Sequence, residues 1–227
     1  MALQKHVNYF ALEKACKEPG CPLCSIINER INRYIDGMLF ENISDRTFRR
    51  EYREAGGFCP EHAKKLLTYR DGLAVAILGQ GTLTDYLEDF SKKKIRKYKR
   101  MCPVCEQRAK IEKDFLTFIA EAGDEKYAKK SRDSQVNAES ARELQAFFKK
   151  SDGLCVPHYA QLIKIVKHVP KWLSDFQEDK FKSLLERTNT FIDASAWGNH
   201  DKFQSLSDTD KVVWKELAQN LRGTVDE

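Results

Sequence analysis

Long apolar runs are missing from this chain. No stretch reaches the roughly 18 consecutive apolar residues that a membrane-spanning helix needs. Residues Met1 to Phe10 lack the basic start and long apolar centre of a secretory signal, so a cytoplasmic location is expected. Period-two alternation of apolar and polar residues is missing as well, which argues against strands. The small-residue stretch around Gly72, Gly79 and Gly81 has no strand before it and no Gly-Lys-Ser/Thr ending, so it reads as helix-on-helix packing and not as a phosphate loop. No serine–histidine–acid set and no catalytic carboxylate pair stands out.

Apolar material is limited too. Of the 227 residues, 41% are hydrophobic and 32% charged, a polar balance in which cross-links through a metal become useful staples. The formal net charge of +5 permits an acidic partner without demanding one.

What the chain does have is a pattern that occurs twice. Cys21-Pro22-Leu23-Cys24 is followed by Gly57-Phe58-Cys59-Pro60-Glu61-His62. Cys102-Pro103-Val104-Cys105 is followed by Gly153-Leu154-Cys155-Val156-Pro157-His158. Each half supplies three thiols and one imidazole, the donor set of a closed tetrahedral zinc site. Six of the seven cysteines fall in the pattern, and in a reducing compartment such spacing points to metal and not to disulfides. A cysteine and a histidine three apart share one helix face, so both can reach one ion. At a helix start, free N–H groups and the positive end of the dipole favour thiolate over thiol. The candidate metal ligands are Cys21, Cys24, Cys59, His62, Cys102, Cys105, Cys155 and His158, holding two zinc ions.

Pairing within each half is the simplest assumption, although Cys21 and Cys24 could instead join Cys155 and His158. An iron–sulfur cluster is the alternative cofactor, because Cys16, Cys21 and Cys24 have a spacing used by plant-type clusters. The second half has Lys97 where a counterpart of Cys16 would stand, so Cys16 reads as a small buried hydrophobe. Cys-Pro-X-Cys also occurs in thiol–disulfide enzymes, but those place it after a strand in a mixed fold.

Helical periodicity accounts for the rest, and the expected class is all-α. Helices are predicted over 7–15, 25–42, about 45–55, from Cys59 through Tyr69, 73–98, after Cys105, 141–149, after Cys155, 172–192 and 210–221. Residues 123–138 read as a loop or weak helix, and 193–208 as a loop. The helices fall into two repeats, 1–100 and 101–227, each with its own zinc site, as an internal duplication with a pseudo-twofold arrangement. Lys92 to Arg100 is the most basic stretch. It reads as a solvated helix end, with nucleic-acid contact as the second possibility. His6 and His168 have no partner motif, and His200 sits in the predicted loop, where a surface or packing role is expected, with a hydrolase site lined by it as the lesser reading.

These motifs, with Asp71-Gly72-Leu73-Ala74-Val75-Ala76-Ile77-Leu78 and the tail Phe191-Ile192-Asp193, resemble a family of uncharacterised bacterial proteins carrying a duplicated cysteine–histidine motif. The resemblance implies metal binding and is silent on activity. With four protein ligands per ion, no position is open for substrate or water, which argues against zinc catalysis. The expectation is therefore a zinc-binding scaffold or adaptor for a protein partner, or for nucleic acid through 92–100. A redox or electron-transfer protein is the alternative.

Overall fold

The computed structural model describes residues 7–124 and 138–223. Every regular element among them is helical, as the periodicity predicts. The helices are α1 (Val7–Ala15), α2 (Pro22–Gly37, prolonged by a π-helical turn at Met38–Asn42), α3 (Arg46–Glu54), α4 (Pro60–Thr68), α5 (Gly72–Ser91), α6 (Pro103–Ala122), α7 (Ala138–Phe148), α8 (Val156–Ile165), α9 (Lys171–Ala194), α10 (His200–Ser205), α11 (Asp208–Lys211) and α12 (Val213–Arg222).

Local chemistry sets most of the boundaries. Asp45 caps α3 by accepting from the N–H groups of Thr47, at 2.6 Å, and Phe48. Asp71 does the same for α5 through the N–H of Ala74. Gly56 and Gly57, with φ of 73° and 92°, stop the chain after α3 in a conformation open to glycine. At Gly56 a side chain is excluded twice over, because a Cβ there would lie 2.4 Å from the Tyr98 ring.

Three expectations need correction. The predicted helix 73–98 ends at Ser91, because Lys93 takes a left-handed backbone (φ 51°) that breaks the ladder. Residues 92–100 are therefore a non-helical strap and not a helix end. The predicted loop 193–208 contains α10, held by Phe203 against Phe191 at 6.0 Å between ring centroids. The predicted last helix is split at Val212 into α11 and α12. Of the stretch expected to be loop or weak helix, 125–137 lies outside the described residues, and so does His6.

Two compact units divide the chain, and they are not the tandem halves 1–100 and 101–227. One unit is Met1–Asn28 with Glu112–Glu227. The other, Glu29–Ile111, lies between those two segments in sequence. The boundaries fall inside α2 and α6. In the discontinuous unit α1 packs on α7, and α12 packs on both α8 and α9. Its core includes Leu12, Leu23, Phe115, Leu116, Leu144, Phe148, Leu154 and Leu173, all fully buried. Phe148 meets Trp172 and Phe176 edge-on, at 5.8 Å each. In the continuous unit α3 and α4 pack on α5 over Ile35, Met38, Phe48, Leu66, Ala74 and Leu78.

The strap is tied down in the continuous unit by ion pairs. Asp85 is buried on α5. It accepts from Arg53 Nε at 2.8 Å and pairs with Arg96 at 2.8 Å. Arg96 also pairs with Asp89, and Arg100 reaches Glu51 and Glu106. Gly81 leaves room for Arg53 to cross the helix, since a Cβ there would stand 2.9 Å from Arg53 Cδ.

Candidate metal centres

All four ligand pairs occupy equivalent positions at helix starts. Cys21, Cys59, Cys102 and Cys155 each directly precede α2, α4, α6 and α8. Each gives its carbonyl to the first helical hydrogen bond, from Ser25, Ala63, Glu106 and Tyr159 respectively. Cys24, His62, Cys105 and His158 stand three residues on, one turn into the same helix. A proline follows the first ligand directly in three cases and at the second position in the fourth, which the missing N–H of a first turn tolerates. Cys59 and Cys155 share nearly the same backbone, with φ, ψ of −66°, 163° and −67°, 161°.

The sets are joined across the halves and not within them. Cys21, Cys24, Cys155 and His158 form one cluster; Cys59, His62, Cys102 and Cys105 form the other. Within each, the four ligand atoms lie within 4.8 Å of one another. The pairing within each half assumed above is therefore replaced by its alternative. The outcome is nested: the ligands of the second cluster all lie, in sequence, between Cys24 and Cys155. The outer cluster belongs wholly to the discontinuous unit and the inner one wholly to the continuous unit.

The distances lie near those of a single tetrahedral ion, with the cysteine–histidine edge inside each helix, 3.1 Å in both clusters, on the short side. Zinc–sulfur bonds of about 2.3 Å and zinc–nitrogen bonds of about 2.0–2.1 Å imply edges of about 3.8 Å between sulfurs and about 3.6 Å from sulfur to nitrogen. Cys24 and Cys155 are 3.8 Å apart, and Cys59 and Cys105 are 3.7 Å apart. His158 Nδ1 lies 3.4, 3.5 and 3.1 Å from the sulfurs of Cys21, Cys24 and Cys155. His62 Nδ1 lies 3.1, 3.6 and 3.3 Å from those of Cys59, Cys102 and Cys105. A disulfide would need sulfurs about 2.0 Å apart, and none of the seven cysteines is disulfide-bonded. So tight a grouping suits one ion and is too small to enclose several iron atoms.

Electrostatics tell the same story. Burial pushes the Cys21 thiol well above its usual range, with the neighbouring thiols adding to it. Cys24 is pulled far down by hydrogen bonds from Cys155 and Cys21. Burial also lifts Cys105, to about 12. His158 loses basicity to burial, but hydrogen bonds and charge from Cys155 and Cys24 outweigh that and raise it to about 9. His62 goes down with burial. Buried donors crowded this closely compete for protons, and a cation relieves that crowding by replacing them.

The surroundings of the ligands repeat too. Gly153, with φ 77°, and Gly57 each stand two residues before a ligand cysteine. Between glycine and cysteine the backbone is held from a helix. Gln177, fully buried on α9, accepts from Leu154 N–H at 2.8 Å and donates to Leu154 carbonyl at 2.9 Å. On α3, the Tyr52 hydroxyl bonds the backbone of Phe58. Sequence reasoning missed both residues. The available signal was a glutamine on the apolar stripe of α9, between Leu173 and Leu184. Glu112 lies 3.7 Å from His158 Nε2, beyond hydrogen-bond length. The end of α12 covers the outer cluster, where a Cβ on Gly223 would stand 3.4 Å from the Cys24 sulfur.

The clusters differ in exposure. All four outer ligands are buried, whereas Cys59 and Cys105 of the inner set are partly exposed. Cys16 is in neither cluster. It is buried and its thiol is pushed up to about 12, in line with a packing role. His168 and His200 are exposed and belong to neither cluster. No helix among the described residues is long and apolar enough to cross a membrane.

Comparison with known proteins agrees with the family resemblance. Residues 10–197 match a family described as a family of unknown function, DUF6062, and the chain belongs to that family. A relative from Caldicellulosiruptor sp. (strain Rt8B.4), "Uncharacterized 23.9 kDa protein in xynA 3'region", is 32% identical over 101 residues. The match covers 42% of this chain and 49% of that protein, so the chain spans about half the length of this relative. No solved structure matches.

Proposed function

For this member of a family of unknown function, we propose a helical scaffold held by two structural zinc ions, which acts by binding a protein partner and not by catalysis. The observation that carries the reading is the edge length of the two ligand tetrahedra: the sulfur–sulfur edges of 3.8 and 3.7 Å and four of the six sulfur–nitrogen edges, at 3.3–3.6 Å, suit zinc–sulfur and zinc–nitrogen bonds. Cys21, Cys24, Cys155 and His158 would hold one ion, and Cys59, His62, Cys102 and Cys105 the other. Zinc would supply no reaction here, only four strong directional bonds per site. Each set is complete, so the ion keeps no position for water or substrate.

Free cysteines favour a reducing compartment, which supports a cytoplasmic location. The similar cap geometry, the glycines and the braced backbones before Cys59 and Cys155 support an internal duplication of the two sites. A protein partner is favoured over nucleic acid because Arg96 and Arg100 are already occupied by carboxylates of their own chain. The lysines of 92–100 keep the nucleic-acid reading testable. It expects salt-sensitive binding that weakens when Lys92, Lys93 and Lys94 are neutralised.

Elemental analysis of the chain purified without added metal tests the scaffold reading. Two zinc ions per chain and a colourless protein are expected. Iron with visible absorbance would replace the reading with electron transfer, and no bound metal would end both.

A further inference from the structure

Helix α5 has one face committed and one face bare. Ala74, Leu78 and Asp85 point into the continuous unit. On the other side Leu73, Ala76, Gln80, Leu83, Leu87 and Phe90 are exposed, at successive intervals of 3, 4, 3, 4 and 3. That is the spacing of a helix-pairing seam, not of a solvated surface. Leu73 is 73% exposed and Phe90 is 71% exposed, with Leu83 and Leu87 at 60% each. Between Gly72 and Leu87 the only charged residue is Asp85, which is turned inward to Arg53 and Arg96. In a chain that is 32% charged, so long an uncharged exposed face calls for a cover.

We propose that this face pairs with the same face of a second copy of the chain, the two α5 helices running antiparallel about a twofold axis near residues 81 and 82. The helix is complementary to its own reverse. Its C-terminal half is bulky (Leu83, Tyr86, Leu87, Phe90), and its N-terminal half carries Ala76 and Gly79, with nothing within 4 Å of where a Gly79 Cβ would stand. The register that sets Leu73 against Phe90 also sets Ala76 against Leu87 and Gln80 against Leu83. Antiparallel helix dipoles favour the same arrangement. Covering these side chains on both copies removes on the order of 1,200 Å² from water, at the lower end of the range of stable interfaces. Two symmetric contacts of one kind close the assembly as a dimer.

The pairing names the partner in the scaffold reading and depends on that reading only for the metal-loaded fold. Its test is sedimentation equilibrium on the full chain with metal content measured in parallel. The wild type is expected to be dimeric at micromolar concentration. Leu87→Glu and Ala76→Glu, which alter facing positions, should each weaken association at least about tenfold while helicity and metal content stay at wild-type values. Leu185→Glu, on exposed α9, should leave it unchanged. Hydrogen exchange on the unmodified chain supplies a readout that needs no variant: protection of 73–90 should rise with concentration. A monomer at every concentration, a dimer that survives both α5 variants, or concentration-dependent protection elsewhere overturns the pairing. Two zinc ions in a monomer would leave the scaffold standing, and a dimer without metal would do the reverse.

Discussion

Gln177 binds no metal in any reading, yet the placement of Cys155 depends on it. Its amide closes both hydrogen-bonding groups of Leu154 in a site without water access. Replacing it by alanine leaves two buried backbone groups unpaired, at a cost of about 2–4 kcal/mol. Urea unfolding should show that loss. The outer cluster should also give up its ion to a chelator sooner in Gln177→Ala than in the wild type, an effect that a general packing defect elsewhere would not single out. Cys16 provides a second residue-scale expectation. With its thiol raised to about 12, only about one molecule in ten thousand carries the thiolate at pH 8. Alkylation of the metal-loaded native protein at that pH should therefore spare Cys16, and denaturant should expose it. Labelling under native conditions would remove it from the core.

The strap after α5 makes an element-scale prediction about acid. Hydrogen bonds from Arg53 hold the Asp85 carboxyl below its usual range, with the Arg96 charge adding to it. A lowered folded-state pKa means stability that is present above the unfolded value of about 3.9 and is lost as pH falls through the folded one. Asp85→Asn should be less stable than the wild type at pH 7, with the difference shrinking below about pH 4. Melting temperatures of both proteins across that range check this, and a difference independent of pH would refute it. How far such features can be read from sequence varies by element. Caps at Asp45 and Asp71, and the ligand pairs at helix starts, were legible because each is decided within four residues. The end of α5 was not, because Lys93 leaves the helix so that Arg96 can reach carboxylates on α5 that face inward. Likewise α10 depends on Phe203 meeting Phe191, twelve positions back in the chain. The eight candidate ligands could be named from spacing, while their partners depended on which helix starts the fold brings together.

At the scale of the molecule, the two candidate ion sites are unequal. Cys59 and Cys105 are partly exposed, whereas the outer ligands lie under the end of α12. A chelator should therefore remove the ions in two steps, inner first, followed by metal-release absorbance with an indicator dye. Cys105→Ser should abolish the early step and Cys155→Ser the late one. Simultaneous release of both ions in every variant would contradict the nested assignment. Acid should drive the same release, because each thiol must give up a proton to bind and takes it back as pH falls.

Nesting also fixes the earliest moment at which each knot can be tied during synthesis. Polypeptides emerge from the ribosome starting at the N-terminus. Cys59, His62, Cys102 and Cys105 are all available long before His158 has been made. Cys21 and Cys24, although first out, must stay open through that interval, and they form half a site whose other half does not yet exist. A nascent chain from which residue 105 but not residue 155 has emerged would thus offer the whole inner ligand set, while Cys21 and Cys24 still wait for Cys155 and His158, a stage open to oxidants and stray metal.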